Sequence, residues 1–259
     1  MIFMMNVPTF INNYFNAQSI LLQQKEAIKT KRRMFAVILL VLDIVISGFV
    51  IMNMKNGMNA GEAEAAGTGG NILYVGGSGP NNYTKIQGAI NAAGDGNTIF
   101  VYSGICYENI VINKSINLVG ESKETTIIDG NNTGDVIDII VDNVTIEGFT
   151  IRNGGNWPYA GVKIYHGNDN SIYNCNISNN NDGIRLHHSS NTSIYNCNIS
   201  NNSGGIYLDS SNNNSIYNCN ISNNWGGIHA WHSNNNSIYN CNISNNNYDG
   251  IHAWLFIQQ

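Results

Sequence analysis

Three neighbouring acids are the first residues in this sequence that could do chemistry. Asp135, Asp138 and Asp142 lie within eight positions of one another, with Arg152 and Lys163 shortly after them. Glycoside cleavage uses two carboxyl groups about 5–9.5 Å apart, so such a cluster is a candidate catalytic site. Because Asp135 and Asp138 can equally be outward residues of a short strand, we assign neither a catalytic role from sequence alone.

A second group of chemically capable residues is rich in histidine. His188 lies 22 residues after His166, and Asp209 lies 22 residues after His187. Imidazole and carboxylate groups brought together at the surface could bind a metal ion. The alternative is that all four are ordinary solvated residues, and we expect no metal.

Aromatic residues form a third group that could bind a ligand. Flat rings on a rigid surface suit sugar stacking, and exposed large apolar groups call for an explanation. Alternatively, outward rings stabilise neighbouring strands by packing on each other. The candidates are Tyr173, Tyr195, Tyr217, Tyr239, Trp225 and Trp231.

An exact repeat positions these residues. The sequence Ser-Ile-Tyr-Asn-Cys-Asn-Ile-Ser-Asn-Asn begins at Ser171 and returns at Ser193, Ser215 and Ser237. A fixed period of this length, about 22 residues, is typical of stacked supersecondary units. Apolar residues alternate in short runs, and Asn, Ser and Gly separate the runs, which predicts short strands joined by tight turns. The sequence therefore predicts a parallel β-helix in which equivalent residues stack about 4.8 Å apart.

Stacking turns each repeated residue into a column. We interpret Asn174, Asn196, Asn218 and Asn240 as an asparagine ladder whose amides bond each other along the stack. We interpret Cys175, Cys197, Cys219 and Cys241 as a ladder of small buried side chains. Disulfides between neighbouring coils are the alternative in an oxidising compartment, although in-register Cβ atoms stand too far apart without distortion.

The segments outside the repeat indicate export. Basic residues precede an apolar run at 35–52, which is typical of a signal peptide or membrane anchor. We divide the chain into a cytoplasmic or mis-assigned segment 1–33, this helix at 34–53, a linker at 54–70, the β-helix at 71–254 and an irregular end at 255–259. Within the β-helix we place a helix at 82–93 and the regular repeats at 170–254. We hypothesise that the sequence is part of a longer repeat protein.

Charge argues against nucleic acid as a partner. From residue 70 onward there are six Lys and Arg against thirteen Asp and Glu, a net charge of −7. Binding to nucleic acid relies on a basic stripe, and the sequence contains none.

The repeats resemble those of the right-handed parallel β-helix proteins in the pectate-lyase-like superfamily, and are most similar to the NosD-like type. The resemblance covers about 72–254 and aligns Phe149 with Cys175. It implies that the helix at 82–93 caps the first coil. A lyase of this superfamily would require calcium-binding acids and a basic residue. The NosD-like type is associated with copper, but a close-packed inward cysteine column leaves a metal no room.

We therefore expect an all-β fold, a right-handed parallel β-helix solenoid with about 22 residues per coil and about eight coils. The expected function is that of a cell-surface protein, either a structural or a glycan-binding scaffold of the envelope. The alternatives are a polysaccharide lyase or hydrolase, and a periplasmic copper-handling module. Expected partners are glycans or envelope components, with the membrane contacted through 35–52. We expect no cofactor, except calcium for a lyase and copper for the copper-handling alternative.

Overall fold

The structure is a computed structural model that describes residues 70–254. The predicted segments 1–33, 34–53 and 255–259 lie outside these residues, as does the linker 54–70 apart from its last residue. Across 70–254, no helix is both long enough and apolar enough to span a membrane.

The described residues form a solenoid of three parallel sheets, A, B and C, which the chain visits in turn on each coil. Strands are numbered in chain order. Sheet A contains β1 (Ile72–Val75), β2 (Thr98–Val101), β5 (Asn117–Gly120), β8 (Thr145–Glu147), β11 (Ser171–Tyr173), β14 (Ser193–Tyr195), β17 (Ser215–Tyr217) and β20 (Ser237–Tyr239). Sheet B contains β3 (Gly104–Tyr107), β6 (Thr126–Asp129), β9 (Thr150–Arg152), β12 (Asn176–Ser178), β15 (Asn198–Ser200), β18 (Asn220–Ser222) and β21 (Asn242–Ser244). Sheet C contains β4 (Ile110–Ile112), β7 (Ile137–Ile139), β10 (Ala160–Tyr165), β13 (Asp182–His187), β16 (Gly204–Asp209), β19 (Gly226–Trp231) and β22 (Ile251–Trp254).

The register confirms the predicted β-helix. Ile172 pairs with Ile194, and Ile194 pairs with Ile216, so each repeat lies directly on the previous one. With eight strands in sheet A and seven in each of the others, the solenoid has about eight coils of about 22 residues. Between β19 and β22 the spacing grows by one position, because Ile228 pairs with Ile251.

The core consists of the inward residues of all three sheets. In the regular coils these are the Ile of sheets A and B and the Ile and Leu of sheet C, exemplified by Ile172, Ile177, Ile184 and Leu186, all fully buried. Each such side chain contributes about 1.5–3 kcal/mol by leaving water. Phe149 is also fully buried at the position aligned with Cys175, as predicted.

The hydrogen-bonded asparagine ladder lies at a different column from the one that we predicted. Asn174 and its equivalents are exposed and have positive φ, 50° at Asn174 and 54° at Asn196. A left-handed residue is needed where sheet A bends into sheet B, and Asn tolerates this conformation. The bend turns these side chains outward, and within residues 70–254 no amide hydrogen bond joins them. The prediction of an amide ladder at Asn174, Asn196, Asn218 and Asn240 is therefore wrong.

The longer buried amide ladder follows sheet B, and a shorter one joins Asn214 to Asn236 before sheet A. Asn180 donates from its backbone N–H to Asn202 Oδ1 at 2.9 Å, and its Nδ2 donates to the same oxygen at 3.1 Å. Asn202 repeats both bonds to Asn224, and Asn224 repeats them to Asn246. These bonds satisfy polar groups that the bend would otherwise leave unpaired in the interior.

A single helix, α1 (Ile86–Ala92), interrupts the strands of the described chain before the first complete coil. Ile86, Ala89 and Ile90 are fully buried, and the helix packs against β1, β2 and β4. Strands β1 and β4 are terminal strands of their sheets. The role of α1 as a cap on the first coil stays a prediction.

Candidate functional site

The outward face of sheet C collects most of the side chains that could do chemistry. Two columns run along it, because alternate residues of each strand point away from the core. One column contains Asp138, Lys163, Arg185, Tyr207, His229 and His252. The other contains Tyr165, His187, Asp209, Trp231 and Trp254. Unlike the repeated columns of sheets A and B, these change residue type from coil to coil.

A loop outside the repeat, residues 153–159, divides this face into two grooves. The loop connects β9 to β10 and presents Trp157, whose exposed fraction is 75%. Arg185 borders both grooves. The lysine groove has a volume of about 200 Å³ and is lined by Asp135, Pro158, Tyr159, Lys163, Tyr165, Arg185 and His187. The tryptophan groove has a volume of about 310 Å³ and is lined by Trp157, Asn181, Asp182, Arg185, Ser203, Gly204, Tyr207, Trp225 and His229.

Two of the three predicted acids are paired with Lys163, and one of them, Asp135, lines the lysine groove. Lys163 Nζ lies 2.9 Å from Asp135 Oδ2 and 3.3 Å from Asp138 Oδ1. Burial raises the pKa of Asp138, although the charge of Lys163 partly offsets this rise. Burial disfavours the charged form of Lys163, but its hydrogen bond to Asp135 and the two carboxylate charges outweigh burial and raise its pKa. Lys163 is thus a fully charged bridge between two acids.

Asp142, the third predicted acid, does not join this cluster. It follows β7 at the bend toward sheet A, and its Oδ1 accepts a hydrogen bond from the backbone N–H of Asn168 at 2.6 Å. Its carboxylate fixes the turn on the next coil. The acidic cluster therefore consists of Asp135 and Asp138, and Asp142 has a structural role.

The tryptophan groove contains an acid with few partners, Asp182. Only 8% of the residue is exposed, and its nearest cation is Arg185 at 3.6 Å. Burial raises the pKa of Asp182 to about 6, with Arg185 opposing the rise. Within the described part of the chain, its carboxylate accepts no hydrogen bond. A Cβ at Gly204 would lie 2.6 Å from Asp182 Oδ1, so the glycine leaves room beside the carboxylate.

His229 is the second polar residue of this groove with an unmet hydrogen-bonding group. Its Nε2 is buried and has no partner within the described residues. Burial lowers the pKa of His229, and the neighbouring His252 lowers it further, which favours the neutral imidazole. A neutral ring carries one donor and one acceptor nitrogen.

The tyrosine candidates pack on each other. Tyr173, Tyr195, Tyr217 and Tyr239 stack in sequence with centroid separations of 4.7, 4.9 and 5.0 Å and interplanar angles of at most 8°. Both faces of the two middle rings are covered by neighbouring rings. This geometry matches the ring-packing alternative, and sugar stacking on this column stays a prediction.

The tryptophan candidates differ in how much ring face they leave free. Trp225 stacks on Tyr248 at 4.6 Å with one face, and its exposed fraction is 53%. The ring centroids of Trp231 and Trp254 lie 5.0 Å apart, and the angle between the two ring planes is 36°. Trp157 stacks on no other ring in the described structure. Trp157 and Trp225 therefore offer free aromatic surface on the same groove.

The predicted histidine group is brought together only in part. His187 Nδ1 lies 2.9 Å from Asp209 Oδ2, and the rings of His166 and His188 stack with centroids 5.1 Å apart. Stacked rings point their nitrogens alongside each other rather than toward one ion. Within residues 70–254, no three His, Cys, Asp or Glu side chains are arranged to hold a metal ion.

The cysteine column is a ladder of free thiols. Cys175, Cys197 and Cys219 are buried, Cys241 is half-buried, and none of them forms a disulfide in the described structure. Each Sγ donates to the carbonyl oxygen two residues earlier, at 3.2–3.5 Å. Hydrogen bonds from neighbouring thiols, together with burial, raise the pKa of Cys197 and Cys219. The close packing of Cys175, Cys197 and Cys219 in the core leaves no space for a copper ion in this column.

Sequence reasoning does not single out three important groove residues. Trp157 lies in a loop that has no counterpart in the repeat, and Asp182 and Arg185 each occur once in their columns. One usable signal is that Asp182 stands where later coils have Gly204 and Gly226. A single carboxylate followed by glycines in the same column indicates open space beside the carboxylate.

The chain is similar to several known proteins. The alignment with the pectin methylesterase from Aspergillus niger covers 76% of this chain and 71% of the esterase, with a TM-score of 0.51 and 19% sequence identity. The alignment with pectate lyase Pel9A covers 62% of this chain and 50% of the lyase, with a TM-score of 0.52 and 17% sequence identity. At these identities the likeness shows the fold alone.

A curated relative is more similar in sequence but much longer. A cell surface glycoprotein from Methanothermus fervidus is 38% identical over 101 residues, which is 38% of this chain. The match spans only 15% of that glycoprotein. The family profile described as periplasmic copper-binding protein (NosD) matches residues 90–256, well over half of the sequence. This chain therefore belongs to the NosD family of right-handed parallel β-helix proteins.

Proposed function

We propose that this chain is an exported β-helix protein of the cell envelope that binds glycans in the tryptophan groove. The observation that carries the proposal is the pair of exposed rings, Trp157 and Trp225, on one groove that also contains Asp182 and Arg185. Ligand sites combine apolar and aromatic surface with a few well-placed polar groups. The outward tyrosine column of sheet A, by contrast, consists of rings that cover each other.

Three observations support the envelope location. The family description is that of a periplasmic protein, and the curated relative is named a cell surface glycoprotein. The sequence also predicts a signal peptide or anchor at 34–53. Together they support a β-helix that lies outside the cytoplasm.

Asp182 is the observation that favours the enzymatic alternative. A carboxyl whose pKa is raised to about 6 resembles a general acid. Hydrolysis of a glycosidic bond uses a second carboxyl on the same cleft. Asp182 is the only carboxyl among the described residues that line the tryptophan groove, and Asp135 and Asp138 are paired with Lys163, which lines the other groove. Binding is therefore the function that the groove supports best, and copper handling is not part of the proposal.

A glycan array probed with the purified full-length protein tests the proposal. Binding should weaken about tenfold in Trp157→Ala and in Trp225→Ala, because a central aromatic anchor contributes about 1.4 kcal/mol or more. Tyr107→Ala is the matched control, since this ring is 66% exposed but lies on sheet B. Failure to bind any glycan, or equal losses in all three variants, would contradict the proposal.

A further inference from the structure

We infer that the tryptophan groove selects a neutral glycan, recognised through neighbouring hydroxyl groups at Asp182, and rejects uronate and amino-sugar polymers. The inference rests on the proposed function and adds the class of ligand. It depends on which charges in the two grooves are already paired and which polar groups still lack partners.

The cations of the grooves are paired within the protein. Lys163 is held between Asp135 and Asp138. Arg185 donates from its guanidinium to the carbonyl oxygen of Pro158 at 3.0 Å, and its charged end lies 5.0 Å from the centroid of the Tyr207 ring. Arg185 also pairs with Asp182.

Arg185 and Asp182 balance each other in the tryptophan groove, and Lys163 faces two carboxylates beside the lysine groove, so neither groove offers an unpaired cation. A uronate polymer would bring a further carboxylate into this environment without an unpaired cation to receive it. Like charges placed together across an interface oppose association. Uronate polymers are therefore poor ligands for this face.

The unmet groups of the tryptophan groove match hydroxyl groups. The Asp182 carboxylate has about four lone-pair sites and accepts no hydrogen bond within the described residues, although it is largely buried. Its oxygens still reach the groove, and a pair of neighbouring sugar hydroxyls would donate to them in place of water. Gly204 keeps the approach to this carboxylate open, and the ring of His229 lines the same groove.

An amino sugar fits this carboxylate less well than a diol. Arg185 already lies 3.6 Å from Asp182 Oδ2, so a protonated amine at the carboxylate would be placed next to the guanidinium. Neutral hydroxyl groups can donate hydrogen bonds to the Asp182 carboxylate without being repelled by the Arg185 guanidinium.

Protonation of Asp182 gives the interaction a pH dependence. The charged and titratable groups around this carboxyl are Arg185 on its own strand, Asp135 before β7, Tyr207 on β16 and His229 on β19. Protonation removes acceptor sites, so affinity should fall as pH drops through the pKa of Asp182, about 6. Arg185 stays charged throughout this range.

Calorimetric titration of the full-length protein tests the inference with three probes of equal length: a neutral hexasaccharide, hexagalacturonate and hexaglucosamine. We expect the neutral probe to bind at pH 7 and to lose about tenfold in affinity at pH 5. Asp182→Asn should weaken binding at pH 7 and abolish this pH dependence. Gly204→Ala, whose methyl group would crowd Asp182 Oδ1, should weaken binding while keeping the carboxylate.

Glu124→Gln is the matched control, because it removes one carboxylate before β6, outside both grooves. Binding of the uronate or amino probe in preference to the neutral one, with losses in Trp157→Ala, would overturn the inference but keep the proposed function. Unchanged neutral-glycan affinity in both Asp182→Asn and Gly204→Ala would also overturn it. Absence of binding by every probe, together with a silent glycan array, would reject the proposed function itself.

Discussion

Removal of one amide from the buried asparagine ladder should destabilise the solenoid strongly. Asn202 is 4% exposed, and its side chain takes part in four hydrogen bonds. In Asn202→Ala, Asn180 Nδ2 keeps its bond to Ser178 and Asn224 Oδ1 keeps its bond to the backbone of residue 202. The backbone N–H of Asn180 loses its partner. One buried unpaired donor plus the space left by the amide predicts a loss of about 2–4 kcal/mol.

Guanidinium unfolding followed by circular dichroism measures this loss. The matched control is Asn198→Ala, which removes an exposed amide with one bond from Asn220 and should cost less than about 1 kcal/mol. Because each coil contacts only its neighbours, the slope of the transition should be compared between variants before the free energies are. Equal losses in the two variants would refute the ladder as a major source of stability.

The variant Asn202→Asp tests whether the N–H donors of the amide are what stabilises the ladder. Asp keeps the shape but lacks the two N–H donors, so its oxygen faces the carbonyl of Ile177 and Oδ1 of Asn224. At neutral pH this variant should be less stable than Asn202→Ala, because it also buries a charge. Part of the difference should disappear at acidic pH, where the new carboxyl becomes neutral and regains one donor.

Three further perturbations have defined outcomes. Tyr195→Ala removes two ring stacks and should cost about 1–3 kcal/mol in thermal unfolding, about twice the loss in Tyr239→Ala, which removes one; equal losses would refute a stacking contribution. In alkylation followed by mass spectrometry, the half-buried Cys241 should react well before the buried Cys197, and simultaneous labelling would contradict the ladder. The pKa of Asp182 is raised on folding, so its stabilising effect is complete below about pH 4 and lost as pH rises through about 6. Asp182→Asn should therefore remove up to about 3 kcal/mol of the change in unfolding free energy between pH 4 and pH 7, and an unchanged pH profile would contradict this.

The architecture follows from the repeat, but the orientation of its asparagines does not. Asn174 and Asn180 both recur in every regular coil, so spacing alone cannot tell the outward residue from the inward one. The difference is one of backbone handedness: φ is positive at Asn174, which turns its side chain to solvent, whereas Asn180 lies at the next bend with its amide inside. A sequence pattern does not report the sign of φ where Asn is the residue at both bends.

The candidate site was predictable only in its components. The sequence indicates acids at 135 and 138 and an exposed Trp225, but the groove exists because the loop 153–159 lies over strands from later coils. That loop falls outside the period of the repeat, so no column contains it. Pairing of Lys163 with both acids is likewise a contact between coils of unequal length, because the step from Asp138 to Lys163 is longer than the step from Lys163 to Arg185.

The constant register of the regular coils has a consequence for how such a chain can change length. Insertion or removal of one whole repeat within 170–236 restores every inward and outward position, because each repeat meets the same neighbours above and below. Such a change moves one end of the solenoid by about 4.8 Å and leaves the core unaltered. Genetic duplication of a coil therefore leaves the packing of the core intact throughout the regular repeats. The tryptophan groove is different, because its lining residues from Trp157 to His229 come from several successive coils, and duplication of any of these coils would disturb their order.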